Sequence, residues 1–211
     1  MATGAVLRIG GVTPLSATDY PDHLSAVVFC QGCPWRCEYC HNPHLQSARG
    51  SARLAWESFR AFLQTRTGLL DAVVFSGGEP TVQRGLADAM RAVKAMGFKV
   101  GLHTAGIHPR RLEAVLPLAD WVGMDLKAPF ARYDAITGIA GSGARAFESA
   151  RAIVASGIAH EFRTTVHRLL LTPDDLATLA SEVAALGARR YVLQDFRAAG
   201  CTSARLTRAA H

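Results

Sequence analysis

The sequence predicts an α/β domain with a parallel sheet, and three observations predict it. Six short apolar runs, rich in valine, leucine and phenylalanine, recur along the chain. The segments between them set apolar residues at three- and four-residue intervals, the period of a helix with one buried face. Glycines such as Gly97, Gly157 and Gly187 stand where those helices should stop. Strands alternating with helices pair in parallel through right-handed crossovers, and continuous apolar runs suit strands covered on both faces. A doubly wound sheet and a β/α barrel both satisfy this pattern.

Taken in order, residues 6–9 and 12–15, separated by Gly10-Gly11, read as a β-hairpin or an extended arm leading to Asp19-Tyr20-Pro21. The first buried strand, 24–29, runs directly into a cysteine-rich loop. A polar linker at 47–51 precedes a helix over 54–66, in which Leu54, Trp56, Phe59, Phe62 and Leu63 share a face. The second strand, 71–76, is broken by Gly77-Gly78, helix 86–96 ends at Gly97, and the third strand is 98–103. A short helix at 109–116, with proline in its first turn, leads to the fourth strand at 121–126. Helix 144–155, strand 160–166, helix 174–186 and strand 190–195 complete the series. The expected organisation is an N-terminal hairpin or arm (1–23), an α/β body (24–197) and a C-terminal tail (198–211).

With 211 residues, 49% of them apolar, the chain can build one domain with a substantial core. No apolar run is long enough to cross a bilayer. Met1-Ala2-Thr3-Gly4 lacks the basic and apolar stretches of an export signal, so a cytoplasmic protein with no membrane partner is expected. Lysine and arginine number 23 against 17 acidic residues, a net charge of +6, but they are scattered singly. Arg110-Arg111 and Arg189-Arg190 are the only adjacent pairs, and neither is interleaved with aromatics, which argues against nucleic-acid binding. A basic face for an acidic partner or an anionic ligand fits the balance better.

Four of the five cysteines lie between Cys30 and Cys40, in a stretch where glycine and proline enforce a loop. Cys33, Cys37 and Cys40 follow the spacing C-x3-C-x2-C, which lets three thiolates converge on a centre larger than one ion. Three sulfurs suit an iron–sulfur cube with one iron left open. Adding Cys30 gives four thiolates, enough to close a zinc site or fully ligate an electron-transfer cluster. A disulfide framework conflicts with the odd cysteine count and the expected reducing compartment.

This loop, with Tyr39 before its last cysteine and Gly77-Gly78-Glu79-Pro80 downstream at the end of an apolar strand, resembles the radical S-adenosylmethionine (radical SAM) superfamily. Neither four-thiolate alternative explains the segment from Gly77 to Pro80. The resemblance implies an α/β fold, a (β/α)6 partial TIM barrel of the radical SAM type, with its site at the carboxyl ends of the strands. It implies that Cys33, Cys37 and Cys40 hold a [4Fe-4S] cluster whose open iron S-adenosylmethionine chelates. An electron entering the sulfonium would then release a 5′-deoxyadenosyl radical that abstracts a hydrogen atom. Gly77, Gly78 and Glu79 match the segment that recognises the methionine ammonium group, since glycines admit a close ligand and a carboxylate suits a cation. Tyr39 and His41 fall where related enzymes contact the adenine; a core tyrosine and turn chemistry around His41-Asn42-Pro43 explain them equally.

The resemblance extends to other strand ends. His103-Thr104-Ala105-Gly106 stands where related activating enzymes have a Thr-Asn-Gly or Thr-Ser-Gly turn, so Ala105 is a departure while Thr104 remains a candidate cofactor contact. His103 either touches the cofactor or finishes its strand. Asp125 and Lys127, two apart and so on one strand face, either border the cofactor, as in glycyl-radical activases, or form a salt bridge inside the barrel. Glu161, Arg163 and Thr165 share a face of the fifth strand. An inward Arg163 needs an anion, supplied by the cofactor carboxylate or by Glu161. Gln194 and Phe196 should line the same mouth.

Thr13-Pro14-Leu15-Ser16, Asp19-Tyr20-Pro21, Cys40-His41-Asn42-Pro43 and the stretches 125–129, 161–166 and 191–197 together narrow the family. They resemble the anaerobic ribonucleoside-triphosphate reductase-activating proteins more closely than the pyruvate formate-lyase activases, which share the CHNP and DLK stretches. That resemblance implies hydrogen abstraction from a glycine α-carbon of a partner glycyl-radical enzyme, an anaerobic ribonucleoside-triphosphate reductase. It also implies a low-potential electron donor of the flavodoxin or ferredoxin type. The competing readings are a pyruvate formate-lyase-type activase, a small-molecule enzyme resembling 7-carboxy-7-deazaguanine synthase, and a non-catalytic Fe-S or zinc protein using Cys30, Cys33, Cys37 and Cys40.

Overall fold

Residues 7–50 and 54–209 are described by the structure, a computed structural model. Their backbone forms one seven-stranded sheet in sequence order: β1 (Ile9–Ser16), β2 (Ser25–Cys30), β3 (Ala72–Gly77), β4 (Lys99–Thr104), β5 (Trp121–Asp125), β6 (Ala159–Val166) and β7 (Tyr191–Asp195). β1 runs antiparallel to β2, and every other pair is parallel. Six parallel strands and their crossover helices make an open (β/α)6 barrel, with β1 added at the β2 edge. The crossovers carry α1 (Trp56–Gln64), α2 (Leu86–Ala95), α3 (Pro109–Val115), α4 (Tyr133–Thr137), α5 (Ser142–Ser156) and α6 (Pro173–Ala185), and α7 (Ala204–Arg208) follows β7.

The strand alternation sorts the core into two layers. In β2 and β3, Ala26, Val28, Cys30, Val73 and Phe75 face the helices, while Val27, Ala72 and Val74 join Tyr20 and Trp121 in a smaller cluster on the other face. Burial of residues such as Phe75 and Leu102, both fully enclosed, contributes about 1.5–3 kcal/mol each. Tyr20 is carried in by the arm and packs against β4 at Gly101, where an added Cβ would stand 2.9 Å from the tyrosine ring. Helix ends follow their residues: α6 opens with Pro173 and a reciprocal Thr172–Asp175 capping box, and α5 closes on Gly157 at φ +70°.

The amino-terminal stretch takes the extended alternative. Gly10-Gly11 is not a hairpin turn; β1 passes through it as one strand with bulges. Gly10 is small because of close packing: a Cβ there would lie 2.3 Å from Leu45 Cδ2 and 2.7 Å from Gln31 Oε1. Leu54, expected inside the first helix, instead makes an isolated bridge to Ile9 before α1 begins. The expected features at residues 1–6, at the end of the 47–51 linker and at 210–211 lie outside the described residues. Among the described residues, no helix is long and apolar enough to cross a membrane.

Candidate active site

The cysteine loop is irregular yet its backbone is tied down on several sides. Gly32 N donates to Leu45 O (2.7 Å), Cys33 N to Gln46 O (3.0 Å), Arg36 N to Thr137 O (2.8 Å) and Cys40 N to Cys37 O (3.1 Å). From β3 and the turn after it, Gly78 N donates to Cys30 O (2.9 Å) and Glu79 N to Gly32 O (2.8 Å). These bonds require contact too close for a side chain. A Cβ on Gly77 (φ +112°) would stand 2.4 Å from Cys30 N, and one on Gly78 2.4 Å from Gly32 O. The nearest neighbour of the two glycines is therefore the cysteine loop itself, and both also border the cleft beside it.

That cleft, of about 140 Å³, lies at the carboxyl ends of the parallel strands. Cys33, Cys37 and Cys40 line it with Trp35, Tyr39 and His41; Gly77, Gly78, Thr104 and Ala105 form a second wall; Asp125, Lys127 and Thr165 form a third. Among the described residues no three His, Cys, Asp or Glu groups converge at single-ion spacing. Cys30 is absent from the lining: it is fully buried on the helix-facing side of β2. The strand period separates it from the other three, because it is the last residue of β2 rather than part of the loop. Burial pushes the Cys33 thiol up to about 12, with Glu79 adding to the effect, and raises Cys37 against the pull of Lys127. Both stay protonated at neutral pH until a cation displaces the proton.

Glu79 departs from the expectation of a free carboxylate facing a ligand. It is fully buried and absent from the cleft lining. Oε1 accepts from Thr81 N (3.1 Å), Thr81 Oγ1 (2.6 Å) and Thr104 Oγ1 (2.8 Å), and Oε2 accepts from Ala105 N (2.8 Å). Four donors fill about the capacity of a carboxylate. Burial raises its pKa and the four donors oppose that rise. Glu79 thus ties the turn after β3 to the turn after β4, and the departure at Ala105 is harmless there because the backbone amide makes the bond.

Asp125, Lys127 and Arg163 come together as expected, with different partners. Arg163 reaches Asp125 Oδ1 through Nε (3.1 Å) and Nη2 (3.0 Å), and Lys127 Nζ lies 3.6 Å from Asp125 Oδ2. Glu161 does not serve Arg163; it pairs with Arg190 at 2.5 Å. Burial works against the Asp125 charge, but Arg163 and Lys127 hold its pKa at about 2. Lys127 also sits 5.5 Å over the Tyr39 ring. Its burial disfavours the charge, yet Tyr39, Asp125 and Cys37 keep its pKa above that of free lysine.

His103 and His41 are fixed by backbone carbonyls. His103 Nε2 lies 2.8 Å from Asp19 O and 3.3 Å from Arg163 Nη1, and Nδ1 lies 3.3 Å from Ser76 Oγ. Burial, then Arg163, pushes His103 down to about 4. His41 Nε2 meets Arg197 O at 2.8 Å, and its ring stacks on Phe196 at 5.6 Å. Phe196 is thus a support for His41, whereas Gln194 lines an adjoining polar mouth of about 660 Å³ with Asp19, Arg163, Asp195 and Arg197.

Sequence reasoning missed three contributors. Trp35, between the cysteines, lines the cleft and leaves a buried Nε1–H without a protein acceptor. Tyr133 Oη accepts from Lys127 N (2.9 Å) and so fixes the strand end that carries Asp125 and Lys127. The tail beyond β7 folds back onto the cysteine loop, which its short polar sequence did not announce.

A partial (β/α)6 barrel carrying three thiols in one cleft over its strand ends defines a class of cluster-binding α/β proteins. The Radical SAM superfamily profile matches residues 27–186, and the chain belongs to that superfamily, whose cofactors are a [4Fe-4S] cluster and S-adenosylmethionine. It is 37% identical over 130 residues to a protein of Methanocaldococcus jannaschii assigned as a glycyl-radical enzyme activating enzyme, covering 59% of this chain and 52% of that one. It is 32% identical over 149 residues to the pyruvate formate-lyase-activating enzyme of Clostridium pasteurianum, covering 67% and 60%. The chain thus spans between half and two thirds of the length of these relatives. Among solved structures, Streptococcus suis SuiB bound to the precursor peptide SuiA superposes with a TM-score of 0.63 at 13% identity, over 81% of this chain and 38% of that one. QueE from Escherichia coli gives 0.54 at 16% identity over 97% and 90%. These two likenesses show the fold.

Proposed function

We propose that the chain is a glycyl-radical-enzyme activating enzyme, with Cys33, Cys37 and Cys40 as the three protein ligands of its [4Fe-4S] cluster. The observation that carries the ligand set is the division of the four clustered cysteines: three line one cleft and Cys30 is sealed in the core. The donor set fits the cluster. Three thiols leave one iron open, and the unpartnered Trp35 indole N–H offers a buried donor beside a sulfur-rich group. When bound, the cluster and S-adenosylmethionine supply reductive cleavage of the sulfonium, yielding the 5′-deoxyadenosyl radical that takes the glycine hydrogen.

The chain's residues bind, orient and exclude water. Lys127 lines the cleft and Arg163 the adjoining mouth, both paired with Asp125, a placement suited to the carboxylate of the nucleoside's methionine end. Gly77, Gly78 and Thr104 line the wall that would receive its ammonium group, and Glu79 would act there through the backbone it anchors. Tyr39 and His41 stand on the cysteine side, where an adenine ring would pack. Trp35 and Tyr39, both buried, wall the cleft beside the thiols, which are themselves half-buried.

The protein substrate is the finer part of the reading. The polar mouth beside Arg163 and Gln194, lined also by Asp19, Asp195 and Arg197, offers charged and hydrogen-bonding groups to a peptide backbone, which suits a glycine presented by a partner enzyme. The extended motif resemblance favours an anaerobic ribonucleoside-triphosphate reductase, with a flavodoxin- or ferredoxin-type donor supplying the electron. The Clostridium relative supports a pyruvate formate-lyase-type partner as the second reading. The test is anaerobic reconstitution, reduction and electron spin resonance after mixing with each candidate partner and S-adenosylmethionine. A glycine-centred doublet with the reductase supports the first reading, and a doublet only with the lyase supports the second. Deoxyadenosine released with neither doublet would overturn the activase assignment.

A further inference from the structure

The tail after β7 has no part in the barrel, yet it makes more polar contacts with one residue of the cysteine loop than any barrel strand does. That residue is Glu38, between Cys37 and Tyr39. Arg205 clasps its carboxylate fork to fork, Nε to Oε1 at 3.0 Å and Nη2 to Oε2 at 2.6 Å, and Ser203 Oγ donates to Oε1 at 2.7 Å. The Cys201 thiol approaches the Glu38 carbonyl at 3.6 Å. Gly200 (φ +84°) packs so tightly beneath His41 that a Cβ would stand 2.5 Å from His41 O. The far end is anchored to the body: Leu206 is fully buried, its carbonyl meets His167 Nε2 at 3.1 Å, and Arg168 Nε donates to Ala209 O at 3.2 Å.

We propose that residues 200–208 form a clasp that sets the spacing of Cys37 and Cys40 for the cluster, with Glu38 as its positioning residue. The inference rests on the three-cysteine cluster site proposed above. The four residues from Cys37 to Cys40 have one internal backbone bond, Cys40 N to Cys37 O, and no sheet or helix partner. Two side chains between the thiols hold them in place: the Tyr39 ring, buried in the core, and Glu38, gripped by the tail. Both charges of the Glu38–Arg205 pair are partly exposed, 39% and 53%, so the pair adds little to global stability. Its bidentate geometry fixes direction, and a lysine at 205 could not reproduce the fork. Partners behind metal ligands are worth about 10–100-fold in metal affinity.

The experiment reconstitutes the whole chain anaerobically with iron and sulfide, as wild type, Glu38→Gln, Arg205→Lys, Arg205→Ala and the reversed pair E38R/R205E. It follows iron loss to a chelator, the electron spin resonance signal of the reduced cluster, and thermal melting of the cluster-free protein. Arg205→Lys keeps charge and bulk, so it reports even where Arg205→Ala fails to fold. The clasp requires melting close to wild type, iron loss about 10-fold faster in the single variants, an altered or broadened signal, and partial recovery in the reversed pair. Wild-type rates and spectra in Glu38→Gln and Arg205→Lys would overturn the clasp while leaving the cluster site standing. Wild-type chain that takes up no cluster would overturn the site itself, and the clasp with it.

Discussion

Replacing Glu79 by glutamine separates two roles that the same residue could play. Glutamine keeps one acceptor and turns the other oxygen into an NH2 group. With the oxygen at the Oε1 position, the bonds from Thr81 N, Thr81 Oγ1 and Thr104 Oγ1 survive, and the NH2 faces the Ala105 amide across 2.8 Å. Two donors then oppose each other in a fully buried site. Leaving one buried donor unsatisfied costs about 1–3 kcal/mol, which for a domain of this size lowers Tm by roughly 2–12 °C. The flipped amide is worse, because three donors would then meet NH2. The assay is thermal or urea unfolding of the protein without cofactors, paired with a titration of S-adenosylmethionine into the reconstituted protein. A drop in Tm before any ligand is added is the expected outcome, followed by weaker binding. A Tm equal to wild type with binding alone impaired would refute the brace and return Glu79 to direct contact with the nucleoside.

Three further outcomes follow from the same geometry. Cys30→Ser should retain the iron and acid-labile sulfide of the wild type, whereas Cys33→Ser, Cys37→Ser or Cys40→Ser should lose most of both; equal loss in all four would restore the four-thiolate site. His103 is neutral in the folded protein, its pKa about 4 against about 6.5 unfolded. Between those values the unfolded chain holds more protons, so stability is present above pH 6.5 and falls as pH drops towards 4, by at most about 3 kcal/mol. Urea midpoints across that window should slope less in His103→Asn than in wild type. Asp125→Asn leaves Arg163 and Lys127 without their shared anion; because the Asp125 side chain is 40% exposed, solvent screens part of the loss and the destabilisation should be about 1–3 kcal/mol, and measured unfolding free energies within experimental error of wild type would contradict the pairing.

The barrel was legible because its signal is repeated. Each of the six apolar runs became a strand within a residue or two, since the central strands are covered on both faces and their composition has no reason to alternate; β7, half-buried to exposed, is the exception. The three cleft cysteines were legible from spacing, and the exclusion of Cys30 was not, because only the end of β2 decides which way that thiol turns. Gly10-Gly11 misled for a related reason: glycine marks a turn in sequence, but here it marks the approach of Leu45 and Gln31 from a distant segment. The partners of Glu79, Arg163 and Glu38 lay beyond reach for the same cause. They come from chain positions 26, 38 and 167 residues away, and no local periodicity encodes such a pairing.

Those long-range pairings explain how a loop without regular structure can present three thiols. Every buried backbone polar group needs a partner, and a cysteine loop that formed its own helix would satisfy its amides internally while spreading its thiols around a cylinder. Here the amides of Gly32, Cys33 and Arg36 are instead satisfied by Leu45, Gln46 and Thr137, and its carbonyls at Cys30 and Gly32 by Gly78 and Glu79. These bonds tie the loop to the later part of its own crossover and to the crossovers after β3 and β5, so the side chains are free to face one cleft. Gly77, the last residue of β3, and Gly78 after it are the condition for this arrangement, since a methyl would stand 2.4 Å from Cys30 N at the end of β2 or 2.4 Å from Gly32 O in the loop. A change at Gly78 would therefore move the cysteines first and the nucleoside site second, which places the glycine pair among the determinants of the cluster site as much as of the cofactor site.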